Sequence, residues 1–265
     1  MRFTIVLTLF VSVLALPIQA AERLLVQSTT STQNSGLYDY LLPKFEAATG
    51  IDVQVVAVGT GQAIRNARNG DADVLLVHSK ADEEAFVTDG HGTERFDLMY
   101  NDFVLIGPAA DPAAVAQAGT ALQALSAIAA GQAAFVSRGD DSGTHKKEQA
   151  LWAEAGLDPS GEWYRETGAG MGATIRMAVE MQAYTLSDRA TWIAYEDKQD
   201  AAILFHGDPA LFNQYGIIML NPARHPHVNK ADAEVFVGWL LSREGQALIA
   251  EYERNGAQLF FPNGR

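Results

Sequence analysis

Residues 24–41, LLVQSTTSTQNSGLYDYL, hold a short apolar run, a polar junction and a helical pattern in eighteen positions. Leu24 to Gln27 reads as a β-strand. From about Gly36 to Thr49 the apolar residues Leu37, Leu41 and Phe45 recur on one helical face. A strand that passes through a tight polar junction into a helix is the unit of an α/β fold. The unit recurs along the chain. Strands are expected at Asp52–Val58, Val74–Val77, Asp102–Gly107, Ala134–Ser137, Ala183–Leu186 and Ile217–Leu220. Helices are expected at Gly61–Gly70, Ala121–Ala130, His145–Ala155, Met171–Met181, Lys230–Leu241 and Ser242–Glu253. This alternation predicts an α/β fold with parallel strands; no internal repeat or low-complexity linker interrupts it.

The 265 residues, 48% of them hydrophobic, fit one large α/β unit or two lobes of ordinary size with a packed core. Nineteen Lys and Arg against 32 Asp and Glu give a formal net charge of -13. That balance does not suit nucleic acid or an anionic membrane surface, both of which are gripped by Lys and Arg. It leaves a small anion possible, because a buried site feels its own dipoles more than a distant, screened net charge. The first twenty residues read as an export signal: Arg2, an apolar run from Phe3 to Leu16, Pro17, and small residues near Ala20 and Ala21. The run is short for a bilayer span, and the chain has no cysteine for a disulfide or a thiol-linked lipid. A soluble, unanchored periplasmic protein is expected, with no cofactor.

Four glycine- and hydroxyl-rich junctions lie where a strand or loop enters a helix. In the first, Ser28, Thr29, Thr30, Ser31 and Thr32 are five consecutive hydroxyl residues. Hydroxyls and free helical N–H groups donate to an anion without bringing charge. A helix cap needs one hydroxyl, not five. The second junction, VGTGQA at 58–63, offers Thr60 and Gly61; it is equally readable as a plain turn and lacks a P-loop lysine. The third, SRGDDSGTH at 137–145, sets Arg138 at a strand end beside Ser142, Gly143 and Thr144. Arginine presents a fixed fork of donors matched to oxyanions, and the competing reading is a surface ion pair with Asp140 or Asp141. The fourth comprises GAGMGA at 168–173, with Gly172, and YTLSDR at 184–189, with Thr185; turns and a Ser or Asp cap explain each taken singly. Asp141, Ser142 and His145 crowd one helix start without the geometry of a hydrolase triad, and no G-x-S-x-G elbow exists. The six histidines show no metal spacing.

Hydroxyl-rich helix starts and two crossing apolar strands resemble the type II periplasmic binding proteins of ABC importers. STTS at 28–31, VGTGQA at 58–63, GDADVLLVH at 70–78, MYNDFVLIGP at 99–108, SRGDDSGTHKKE at 137–148, GMG at 170–172 and AYTLSDR at 183–189 are similar to the tungstate-binding TupA family. The family's ligand loop is usually Thr-Thr-Thr-Ser; Ser28 in the first position keeps a hydroxyl and loses a methyl. The family's ligand arginine falls on Arg138. The resemblance implies tungstate, less surely molybdate, bound between a lobe of about 22–102 plus 217–265 and a lobe of about 103–216. The ligand residues expected are Ser28, Thr29, Thr30, Ser31, Thr60, Gly61, Arg138, Ser142, Gly143, Thr144, Gly172 and Thr185. The partners implied are an ABC permease with its ATPase, and the shuttle is expected to be a monomer. Tungstate, fully deprotonated at neutral pH, wants donors only. Hydrogenphosphate also rewards an acceptor carboxylate, which keeps a phosphate- or sulfate-binding protein as the alternative through Asp140 and Asp141. A secreted phosphatase or esterase is the rival of another class.

Overall fold

The computed structural model describes residues 23–264; the expected export signal lies outside the described residues. The first lobe is wound from β1 (Leu24–Thr29), α1 (Thr30–Asn34), α2 (Leu37–Thr49), β2 (Val53–Val58), α3 (Thr60–Asn69), β3 (Val74–Val77) and α4 (Lys80–Thr88). β4 (Gly92–Pro108) then runs out of this lobe. The second lobe holds α5 (Ala121–Ala130), β5 (Phe135–Ser137), α6 (Gly143–Glu154), β6 (Tyr164–Glu166), α7 (Met171–Glu180), β7 (Thr185–Asp188), α8 (Arg189–Ala194) and β8 (Ala201–Phe205). β9 (Phe212–Leu220) returns the chain to the first lobe. It is completed by α9 (Lys230–Leu241), α10 (Arg243–Glu251) and three two-residue strands, β10 (Glu253–Arg254), β11 (Ala257–Gln258) and β12 (Phe261–Pro262).

The main sheet runs β12-β4-β9-β3-β1-β2. β1 pairs with β2 and β3 in parallel, as the strand–helix alternation predicts, but β3–β9 and β4–β9 are antiparallel. The sheet is therefore mixed, because the two strands that cross between lobes run in opposite senses. β4 pairs with β9 from Gly92↔Leu220 to Asp102↔Phe212, and then with β7 from Phe103↔Asp188. Its change of partner between Asp102 and Phe103 is where one sheet ends and the next begins. Arg189 pins that point with two charge-assisted hydrogen bonds, Nε and Nη2 each 2.6 Å from an oxygen of Asp102.

Separate cores hold the lobes together. In the first lobe α2 and α9 cover one face of the sheet, where Phe45 meets Phe236 edge-on with ring centroids 5.0 Å apart. Ala63, Ala67 and Phe86 cover the other face with β3. In the second, Phe135 and Trp152 pack edge-on at 5.3 Å within a cluster that includes Leu105 and Leu186. α3 stops at Gly70, where φ is +90° and an added Cβ would lie 2.8 Å from His225 Nδ1. Glycine is needed there for both the turn and the close approach. No described helix is long and apolar enough to cross a membrane.

Candidate functional site

The hydroxyl run does not form a loop. β1 continues through Ser28 and Thr29, and α1 begins at Thr30. Its hydroxyls divide by task. Ser28 Oγ donates to the Leu76 carbonyl at 2.8 Å and receives the Tyr38 hydroxyl, so it has no proton left for a ligand. Thr29 caps α1, accepting from Thr32 N at 3.3 Å. Ser31 Oγ lies 3.0 Å from His78 Nε2. Thr30 Oγ1 is buried without a hydrogen-bond partner. An ideal Cβ on Gly170, the residue before α7, would sit 3.7 Å from it, which brings the start of α7 in the second lobe opposite α1 in the first. Gly172 follows on α7 and faces Asn34 Nδ2 at a comparable 3.7 Å.

α3 and α6 meet start to start. Gly143 N donates to Thr60 Oγ1 at 2.9 Å, joining the two lobes. Gly61 comes so close that an added Cβ would stand 2.2 Å from Asp141 Oδ2. Lys146 Nζ and Asp82 Oδ2, 2.7 Å apart, and Arg65 and Asp141, 3.3 Å apart, tie the rims. Ser142 caps α6 through His145 N, and Thr144 Oγ1 is buried without a partner. Beside these starts a cavity of about 690 Å³ opens, lined by His78, Phe103, Gly143, Lys146, Phe212 and Asn213 among others.

Arg138 follows β5 directly and is 2% exposed, so it is not a surface residue, although its Nη2 does contact Asp140 Oδ2 at 2.5 Å. Its Nε is buried and unpartnered. Its charge reaches both sides of the cleft. His78 is pushed down to about 4 by burial, with the Arg138 guanidinium adding to the fall and the Asn213 hydrogen bond opposing it. Asp188, the buried cap of α8, is raised by desolvation despite its hydrogen bonds from Thr191 and the opposing pull of Arg138. α8 also approaches α1: Thr191 Oγ1 lies 3.4 Å from the Ser31 carbonyl.

Most of the residues singled out from sequence thus gather around the meeting helix starts. Thr185 lies apart from this web: it is buried in the β4–β7 pair, and its hydroxyl is 3.5 Å from the Leu186 carbonyl. Three residues absent from the expected set lie within it. His78, Asp188 and Asn213 are each buried; His78 and Asp188 lie in the GDADVLLVH and AYTLSDR motifs without having been singled out as ligands, and Asn213 carried no signal beyond its place at the start of a crossing strand.

Two α/β lobes, two crossing strands and a donor-lined seam between the lobes define a two-lobed solute-binding protein. Residues 17–244 match the family model for the PBP superfamily domain. The tungstate-binding protein TupA of Peptoclostridium acidaminophilum is 51% identical over 249 residues, covering 92% of this chain and 87% of its own. A solved structure described as the tungstate ABC transporter from Geobacter sulfurreducens is 50% identical, with a TM-score of 0.81 over 88% of this chain and all of its own. The tungstate-binding protein TupA from Desulfovibrio alaskensis G20 is 48% identical, with a TM-score of 0.78 over 92% of this chain. The chain belongs to the TupA family of the PBP superfamily.

Proposed function

We propose that this protein captures tungstate in the seam between its lobes and delivers it to an ABC importer's permease and ATPase. Three buried groups without partners, Thr30 Oγ1, Thr144 Oγ1 and Arg138 Nε, carry the reading. An unmet buried donor costs about 1–3 kcal/mol, and an oxyanion between the lobes repays it. The carboxylates that would favour hydrogenphosphate are already engaged. Asp140 accepts from Arg138 and from Ser142 N, at 2.5 and 3.2 Å, and Asp141 turns outward to Arg65. A fully deprotonated anion needs donors only, which favours tungstate or molybdate over phosphate. Identity to two tungstate-binding relatives near one half favours tungstate of that pair.

In this reading lobe 1 comprises about 22–102 plus 217–265 and lobe 2 about 103–216, with the start of β9 as part of the return crossing. Ser28 and Thr29 frame the site, and Thr30, Ser31, Arg138 and Thr144 donate to the anion, with the amide that follows Thr60; the Gly143 amide, held by Thr60 Oγ1, joins the lobes beside it. Closure is hinge motion biased by the ligand, because only the closed form lets both lobes donate. The protein works as a periplasmic monomer released from its export signal, and it binds without turning over its ligand.

Calorimetric titration with tungstate, molybdate, sulfate and phosphate tests the assignment. Tungstate at about 100 times its dissociation constant adds roughly 2.7 kcal/mol of stability by mass action. A melting shift with phosphate and none with tungstate would sink it.

A further inference from the structure

Beneath the start of α1 runs a file of buried polar side chains that the ligand contacts above do not explain. Ser31 Oγ lies 3.0 Å from His78 Nε2, and His78 Nδ1 lies 3.1 Å from Asn213 Oδ1. Asn213 Nδ2 in turn lies 2.7 Å from Asn101 Oδ1. All four residues are at most 6% exposed. Asn101 and Asn213 face each other on β4 and β9, one pair from the end of their ladder. The Tyr215 ring lies against His78 at 4.8 Å, and an added Cβ on Gly143 would stand 3.1 Å from the imidazole. The file therefore begins at the crossing strands and ends where the two lobes meet.

Such a file has a direction. A neutral imidazole has one N–H and one bare nitrogen, and burial beside Arg138 keeps His78 neutral. With the amides oriented as described, Asn213 turns its oxygen to Nδ1, so Nδ1 carries the proton. Nε2 is then bare, and Ser31 must spend its only proton on it. The Ser31 oxygen would meet an anion with a lone pair. The same orientation leaves Asn101 Nδ2 buried without an acceptor. Exchanging oxygen and nitrogen in both carboxamides keeps every heavy-atom distance and reverses the file. Asn101 Nδ2 then donates to Asn213 Oδ1, Asn213 Nδ2 to His78 Nδ1, His78 Nε2–H to Ser31 Oγ, and the Ser31 hydroxyl to the ligand. The Tyr215 hydroxyl, 3.4 Å from the same end of the Asn213 amide, donates to its oxygen. The unpartnered Asn101 atom is then an amide oxygen in place of an N–H, the less costly of the two to leave unpaired.

We propose that His78 is a positioning residue that, as the Nε2–H tautomer in a relay running from Asn101 through Asn213, aims the Ser31 proton at the oxyanion. The relay also withholds the acceptor that a protonated oxyanion requires, so it sets selectivity as well as affinity. This rests on the reading of the seam as a tungstate site.

Nitrogen-15 NMR of the tungstate-saturated protein reads the tautomer directly. The Nε2–H form is expected; the Nδ1–H form overturns the relay while leaving tungstate binding itself intact. His78→Phe keeps a ring and removes both nitrogens. We expect it to weaken tungstate about ten- to a hundredfold, the worth of one hydrogen bond to a charged group, with little change for phosphate. His78→Gln, which restores a donor and an acceptor, recovers part of the loss. In a Ser31→Ala background, His78→Phe costs little more. An undiminished loss there makes His78 mere packing and overturns the proposal. If tungstate fails to raise the melting temperature of the parent protein, the tungstate reading falls and the relay falls with it.

Discussion

In the proposed site the two sides of the seam meet an anion by opposite means. On the first lobe, residues 28–32 bring no charge, and their hydroxyls are mostly engaged within the lobe: Ser28 is tied to Tyr38 and Leu76, Thr29 to Thr32, and Ser31 to His78. On the second lobe, residues 138–144 bring a buried guanidinium, its carboxylate partner two residues on, and positive φ at Gly139 (60°) and Asp141 (57°). The first side is a rigid frame that contributes shape. The second contributes charge, and Asp140 offsets enough of it that the guanidinium is not left bare when no anion is bound. Neutral donors are cheap to keep preorganised in a closed seam; charge is not, which is why it is held on one side and already paired.

If that contrast is right, the largest loss follows from removing the charge. Arg138→Ala is expected to cost about 2–5 kcal/mol of tungstate affinity, with Arg138→Lys recovering only part because an ammonium lacks the planar fork. Titration of both variants, with circular dichroism as a check on folding, decides this, and parent-like affinity in Arg138→Ala would make it a structural partner of Asp140. The lobes also differ away from the seam. Buried Glu83 of the first lobe has Arg95 at 2.7 Å, whereas buried Glu148 of the second accepts from the neutral donors of Trp152 and Tyr164. Burial pushes both carboxyls from the ordinary 4.5 up to about 7, against the opposing pull of Arg95 at Glu83 and with no cation beside Glu148 among its causes. A raised carboxyl contributes stability that is complete below the unfolded value and lost as pH rises through the folded one. Glu148→Gln is therefore expected to melt higher than the parent above pH 7, by up to about 3 kcal/mol, with the gain vanishing toward about pH 4.5. Melting curves across that range check the sign.

Within the frame itself, Thr30→Ala is expected to lose roughly 1.5–3 kcal/mol of affinity with little change in apo stability. Ser28→Ala is expected to do the reverse, lowering the melting temperature through the orphaned Tyr38 hydroxyl while binding as the parent does. An exchange of those two outcomes would break the division of labour among the hydroxyls. The smallest effect belongs to the rim. Lys146→Ala removes a half-exposed ion pair with Asp82 and is expected to weaken binding by about 0.2–1 kcal/mol, more at low salt than at high.

The strands and helices with clear apolar stripes were legible in the chain. Val74–Val77, Ala121–Ala130 and Lys230–Leu241 fall where their patterns put them. α4 was not, because KADEEAFVT buries only Glu83 and Phe86, and a buried glutamate reads as surface until Arg95 is known to face it. α1 was hidden for a similar reason: residues that cap and turn also fill this five-residue helix. β4 and β9 run well past the expected Asp102–Gly107 and Ile217–Leu220. Their further stretches, TERFDLMYN and FNQYG, mix polar and apolar side chains, which a search for apolar runs passes over. Of the candidate site, Arg138 and the hydroxyl run were legible because a strand end beside a helix start is a local pattern. His78 and Asn213 were not, since their meeting joins residues 135 positions apart.

Gly143 gives the seam a mechanical stop. An added Cβ there would stand 3.0 Å from Thr60 Oγ1 and 3.1 Å from the His78 ring, so the Gly143 backbone lies hard against two side chains of the first lobe. On the reading proposed above, closure ends at that contact, not wherever the ligand happens to halt it. The protein thus gauges its cargo as a caliper does. An anion too wide holds the jaws off their stop and forfeits the Gly143–Thr60 hydrogen bond, and one too narrow rattles in a space it cannot fill.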